Sequence, residues 1–185
     1  MPRKRKGVLT PKVSWPDLRG PQDSWTMAEM RAVAINPVVT GIGTHPRSVS
    51  DEDWVVSCEA DVEASGLAQF LTDLLHVLRI TIPVYLGPSA PVGEYPQRRT
   101  EAEVPLPNVA YPGDRGWNET GWNEAMLGGI LCNPVYAGIP PFPAMVDDQT
   151  WINAGVKLVK EIGLRQYLVN LLYELKKSML SVCAE

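Results

Sequence analysis

Histidine and cysteine are scarce in this chain. It has two histidines, His45 and His76, and three widely spaced cysteines, Cys58, Cys132 and Cys183. No CxxC, HExxH or His/Cys cluster occurs, which leaves zinc without a ligand set. An odd cysteine count without an export signal argues for reduced thiols in the cytoplasm rather than a disulfide framework. Cys58 and Cys132 have apolar neighbours and read as small core residues. The Gly/Pro stretches GIGTHP and GPSAPVG lack the strand–loop–helix context of a phosphate cradle, and no Ser or Cys stands in a nucleophile elbow. These absences point away from an enzyme, and the sequence assigns no catalytic, cofactor-binding or metal-binding residue. No apolar run of about 18 residues is evident, so no membrane span is expected. The start MPRKRKGVLTPK is basic with no apolar stretch behind it, and is not expected to be a secretory signal.

What is present is enough for a core. The 185 residues are 45% hydrophobic, which suits one domain or two small ones. Seventeen prolines and fifteen glycines call for long irregular segments. The net charge of −4 is unevenly spread. Within residues 1–24, Arg3, Lys4, Arg5, Lys6, Lys12 and Arg19 stand against Asp17 and Asp23, a local +4 that leaves −8 for the remaining chain. Arg3 to Lys6 thus form a basic arm able to contact nucleic acid or an acidic protein surface, or simply to stay solvated.

The strongest signal is an internal repeat. NPVVTGIGTHP at 36–46 recurs as NPVYAGIPPFP at 133–143, an offset of 97. The offset holds without a gap from Trp25/Trp122 to Arg79/Lys176, with 19 identities over 55 positions; chance would give roughly 3. Trp54/Trp151, Leu71/Leu168 and Leu74/Leu171 are among the matched pairs, and with Trp25 and Trp122 they are the expected core of the repeat.

Each copy reads as three short helices around an extended turn. The first helix spans 25–35 and 122–132, and Asn-Pro ends it. The segments VVTGIGTHP and VYAGIPPFP are expected to run extended. Ser50 and Asp147 are the expected N-caps of the second helix, and Gly66 and Gly163 its stops. The third helix carries leucines at i, i+3, i+4, i+7 and beyond, a wide apolar stripe. One copy of about 55 residues is marginal alone, so the two are expected to pack stripe to stripe about a pseudo-twofold axis. The predicted class is mainly α. Its expected parts are a basic arm (1–24), repeat one (25–79), a Pro/Gly-rich linker (80–121) with one strand-like run ITIPVYL, and repeat two with a helical extension (122–185). The two repeats form a single body. Gln69/Gln166 and Asp73/Asn170 are expected to make polar contacts across the axis.

Where the copies differ, interaction faces can be sought. Glu59, Asp61 and Glu63 of copy one align with Val156, Leu158 and Lys160 of copy two. They make an acidic face that either stays solvated or meets the basic arm of another subunit head to tail. Lys157 and Lys160 mark the contrasting face of copy two. Copy one is cut off at Pro83, whereas copy two continues through Met179, either a further core contact or a docking surface. His45 and His76 align with Phe142 and Tyr173, and neither is kept in the other copy. They read as amphipathic side chains.

WNEAMLGGILCNPVYAG (122–138) resembles part of the recombinase domain of large serine recombinases. The matching residues are Leu131, Asn133, Pro134, Tyr136 and Gly138, followed by Val146, Asp147, Asp148 and Trp151. Copy one keeps the frame but has Val39 in place of the tyrosine. That region belongs to the DNA-binding half of the family, so the resemblance implies a DNA-associated role. The family's catalytic serine domain and zinc ribbon have no counterpart here, and the body is acidic, whereas DNA binding normally needs several Lys/Arg on the contacting face. The preferred expectation is a non-enzymatic, cytoplasmic interaction or assembly module with a protein partner or with itself, without cofactor or membrane. The alternative is a small DNA-associated accessory protein of a mobile element, with Arg3 to Lys6 on phosphates.

Overall fold

Capping side chains set where the helices begin. In the computed structural model, which describes residues 26–43, 45–85 and 124–183, Thr26 forms a capping box with Glu29 and starts α1 (Met27–Ile35). Ser50 Oγ accepts from the Asp53 N–H at 3.0 Å and starts α2 (Asp51–Ser65). Asp147 Oδ1 accepts from the Thr150 N–H at 2.8 Å and starts α5 (Asp148–Ile162). Gly66 and Gly163 stop α2 and α5 at positive φ, as expected. With α3 (Leu67–Tyr85), α4 (Glu124–Cys132) and α6 (Leu164–Cys183) the described residues hold six α-helices and no strand. The chain is mainly α.

The Asn-Pro phrase does more than stop a helix. Asn36 Oδ1 accepts the Val38 N–H and Asn133 Oδ1 the Val135 N–H, both at 3.1 Å. Each asparagine thereby caps a four-residue 3-10 helix, Pro37–Thr40 and Pro134–Ala137. These residues are therefore helical rather than extended, because the amide supplies the acceptor that the tight turn needs. The chain then doubles back: Ser48 and Val49 N–H return to Val39 O, and Met145 and Val146 N–H to Tyr136 O. Both asparagines are buried and bind a third element. Thr81 of α3 donates to Asn36 Oδ1 at 3.4 Å, and Asn133 Nδ2 donates to Ser178 of α6 at 3.0 Å. Trp54 and Trp151 donate their indole N–H to the carbonyls of Ile35 and Asn133, at 3.1 and 3.2 Å. So each phrase ties three helices together through satisfied buried polar groups.

The run ITIPVYL is not a strand. Ile80 to Tyr85 continue α3, with Pro83 inside its last turns. Ile82 is fully buried, and Thr81 shares its one hydroxyl proton between Val77 O one turn back, at 2.8 Å, and the more distant Asn36 Oδ1. Tertiary burial overrides the β-preference of these branched residues. The first helical unit thus ends at Tyr85, not at 79. Residues Leu67–Val84 of α3, with mean hydropathy 1.3, are long and apolar enough to cross a membrane by length and composition, which corrects the sequence reading that no such run exists. The apolar side of this stretch, Phe70 through Ile82, lies in the protein core.

Trp54, Trp151 and the stripe leucines Leu71, Leu74, Leu75, Leu78, Leu168, Leu171, Leu172 and Leu175 are buried in one cluster as expected, while Leu67 and Leu164 are partly buried at its edge. The close helix pairs are α2–α3, α3–α5, α5–α6 and α6–α2. The two leucine-lined helices α3 and α6 therefore reach the shared core from opposite corners of a ring instead of lying against each other. α1 rests on α2 and α3, and α4 rests on α5 and α6. Gln69 and Gln166 bond Asp73 and Asn170 along their own helices, at 2.9 Å in both cases.

Two aligned core pairs differ in a compensating way. Copy one has Cys58 and Phe70 where copy two has Gly155 and Tyr167. A Cβ on Gly155 would stand 2.7 Å from the Tyr167 hydroxyl and 3.0 Å from Leu71 Cδ1. The missing side chain makes room for the extra oxygen. Tyr167 is fully buried and its hydroxyl has no hydrogen-bond partner among the described residues. Gly155→Ala should therefore cost about 1–3 kcal/mol through overpacking. Adding Tyr167→Phe should recover most of that loss in a urea titration, and an additive double mutant would contradict this account.

Candidate interaction faces

The seam between the halves carries its own charges. Arg79, near the end of α3, donates to both Asp148 oxygens, one at 2.8 Å, and to the carbonyls of Ala137 and Gly138. Lys176 on α6 donates to Asp51 Oδ1 at 2.6 Å. Arg79 and Lys176 are aligned positions, as are Asp51 and Asp148. Each half thus sends a cation to the carboxylate that opens the other half's middle helix. A planar guanidinium can grip the carboxylate and two carbonyls at once, whereas an ammonium acts as a point charge. The hydrogen bonds from Arg79 hold the Asp148 carboxyl below its ordinary range, and Asp148 in turn raises Arg79. Lys176 is pulled down by burial, against an opposing pull from Asp51. A third pair, Glu59–Arg165, closes at 3.8 Å between α2 and α6, and its aligned positions are Val156 and Ala68.

The acidic face expected on copy one is mostly consumed inside the chain. Asp61 receives Arg31, whose guanidinium also reaches Ser65 at 2.8 Å and Asp73 at 2.7 Å, linking α1, α2 and α3. Asp61 is the main reason the Arg31 guanidinium is raised. Glu59 meets Arg165, and only Glu63 of the three is exposed. Lys157 and Lys160 are exposed on α5. Met179 is 1% exposed and belongs to the core, so it is not a docking residue; it occupies the place that Ile82 takes in copy one. Arg3, Lys4, Arg5, Lys6, Trp25 and Trp122 lie outside the described residues. His76 is exposed, and His45 Nδ1 sits 2.7 Å from Pro46 O. Burial raises the Cys58 and Cys132 thiols far above their ordinary value, which makes both poor nucleophiles. No group of three metal-ligating side chains exists among the described residues. Exposed apolar side chains include Met30 on α1, its aligned Leu127 on α4, Leu131 one turn later, and Met145.

The seam charges escaped the sequence reading because their partners stand 69 and 125 positions apart. One signal was available: an aspartate at 51 and 148 and a cation at 79 and 176 are matched in both copies. The hydroxyl pair Thr81/Ser178, just past the aligned stretch, was a second. Comparison with protein-family models, curated proteins and solved structures finds no match to this chain.

The Asp148 shift has a definite sign. Its folded value lies below the unfolded one, so its contribution is fully present above about pH 4 and is lost as pH falls through the folded value. Because both partners are partly exposed, the pair is worth about 1 kcal/mol. Arg79→Met should lower the unfolding free energy at pH 7 by that order and flatten the loss of stability below about pH 4. An acid profile unchanged from wild type would remove the pair from the account.

Proposed function

We propose that this chain is a non-enzymatic interaction or assembly module built from a duplicated helical unit, its halves related by a pseudo-twofold axis. The supporting observation is the reciprocal seam, in which Arg79 meets Asp148 and the aligned Lys176 meets Asp51. A self-complementary contact of this kind is the mark of an isologous interface, with both sides carried on one chain. Matched devices in the two halves support the same reading: the asparagine-capped turns, the indole-to-carbonyl bonds and the paired hydroxyls. The chemistry within the described residues is spent on holding helices together. Among the residues that face water on the second half, Lys157 and Lys160 on α5 and Leu127 and Leu131 on α4 offer cationic and apolar groups that a protein partner could take up. The module is taken to work in the cytoplasm, with Cys58 and Cys132 as reduced thiols.

Captured from a lysate of its native cell, the chain should bring down a discrete protein or further copies of itself. Lys157→Glu with Lys160→Glu should reduce the yield while leaving stability within about 0.5 kcal/mol. A strictly monomeric chain that captures nothing would sink this reading. The second reading, a DNA-associated accessory protein, draws on the +4 charge of residues 1–24. It requires salt-dependent DNA retention that disappears on deleting residues 2–6.

A further inference from the structure

The contacts between the halves do not depend on both halves belonging to the same chain. Arg79 meets Asp148 and Lys176 meets Asp51, while α3 packs on α5 and α6 on α2. What the first half offers, the second accepts, and the reverse. Glu59–Arg165 adds direction to this pairing. Two first halves set together would leave Glu59 opposite Ala68, and two second halves would leave Arg165 opposite Val156. Unlike halves are thus favoured over like ones by a charge that only the unlike pairing satisfies. Residues 86–123, 38 in number, connect the halves. At about 3.3–3.6 Å per extended residue, that length is ample to reach a neighbouring copy.

We propose that the seam is also an interface between two copies of this chain. The first half of one copy seats on the second half of the other, and vice versa, closing a two-chain assembly with two seams. This rests on the duplicated-module reading. The occupant of the surface is a second copy, and every contact it makes is one already seen within a single chain. Within one chain the halves meet at an effective concentration of roughly millimolar order, so the single-chain form prevails in dilute solution. Exchange then appears when chains fold together at high concentration.

Complementary charge reversal in full-length chains tests this directly. Arg79→Glu in one chain and Asp148→Arg in another each set like charges across the seam of a lone chain. Exchange between the two variants pairs Glu at 79 with Arg at 148 in one seam and restores Arg79 with Asp148 in the other. Refolded together, the two variants should give a species of twice the chain mass containing one of each. Its yield should be about tenfold above the two-chain yield of either variant alone. Glu59→Arg and Arg165→Glu, at sites about one-third exposed, provide a gentler pair that should fold singly and show a smaller bias in the same direction. Two mixtures that contain only single-chain species would overturn the proposal. If Arg79 and Asp148 still couple within one chain in a double-mutant cycle, such a result rejects the two-chain assembly alone and leaves the module reading to the capture experiment.

Discussion

Leu71, Leu74 and Leu78 on α3, and Leu168, Leu171 and Leu175 on α6, are taken out of water by helices from both halves of the chain. Each such side chain contributes about 2 kcal/mol relative to exposure. α3 needs α5 and α6 needs α2, so the apolar face of each half is completed by the other half's middle helix. The order of the ring, the position of the seam and the burial of Met179 all follow from that requirement. A unit of about 55 residues has a marginal interior of its own, and sharing the core enlarges it.

Polar groups then fix one arrangement among the many that apolar burial would allow. Asn36 and Asn133 sit where a buried amide must find specific partners, and each finds a tight-turn N–H and a hydroxyl from its own half's third helix. Arg79 and Lys176 act at the seam, each bound to the start of the opposite middle helix. A helix sliding by one turn would strand these groups, and a buried polar atom without a partner costs about 1–3 kcal/mol. The Asn-Pro phrase thus serves as a structural junction of three helices in each half.

Caps, glycine stops and leucine stripes are legible in the sequence because each is a local device. Ser50 and Asp147 reach an N–H three residues away, and the stripe leucines repeat every three or four residues. What is not legible depends on distant partners. Ile80 to Tyr85 look like a strand until the pocket that buries Ile82 and the amide that meets Thr81 are known. Asp61 looks like part of a solvated acidic face until Arg31, thirty positions earlier, closes on it. Met179 resembles a loose apolar end, although it fills the place that Ile82 fills in the other copy.

The two halves share an apolar core but differ in one charged cluster. Arg31, Asp61, Ser65 and Asp73 tie the first three helices by charge, whereas the aligned Gly128, Leu158, Ile162 and Asn170 of the second half carry none. Ion pairs with one-third of their surface open to water weaken as dissolved salt rises. Apolar contacts instead gain from excluded salts such as sulfate, and weaken on cooling. Dissolved salt therefore loosens a charged cluster that only the first half carries, while cooling acts on the core that both halves share.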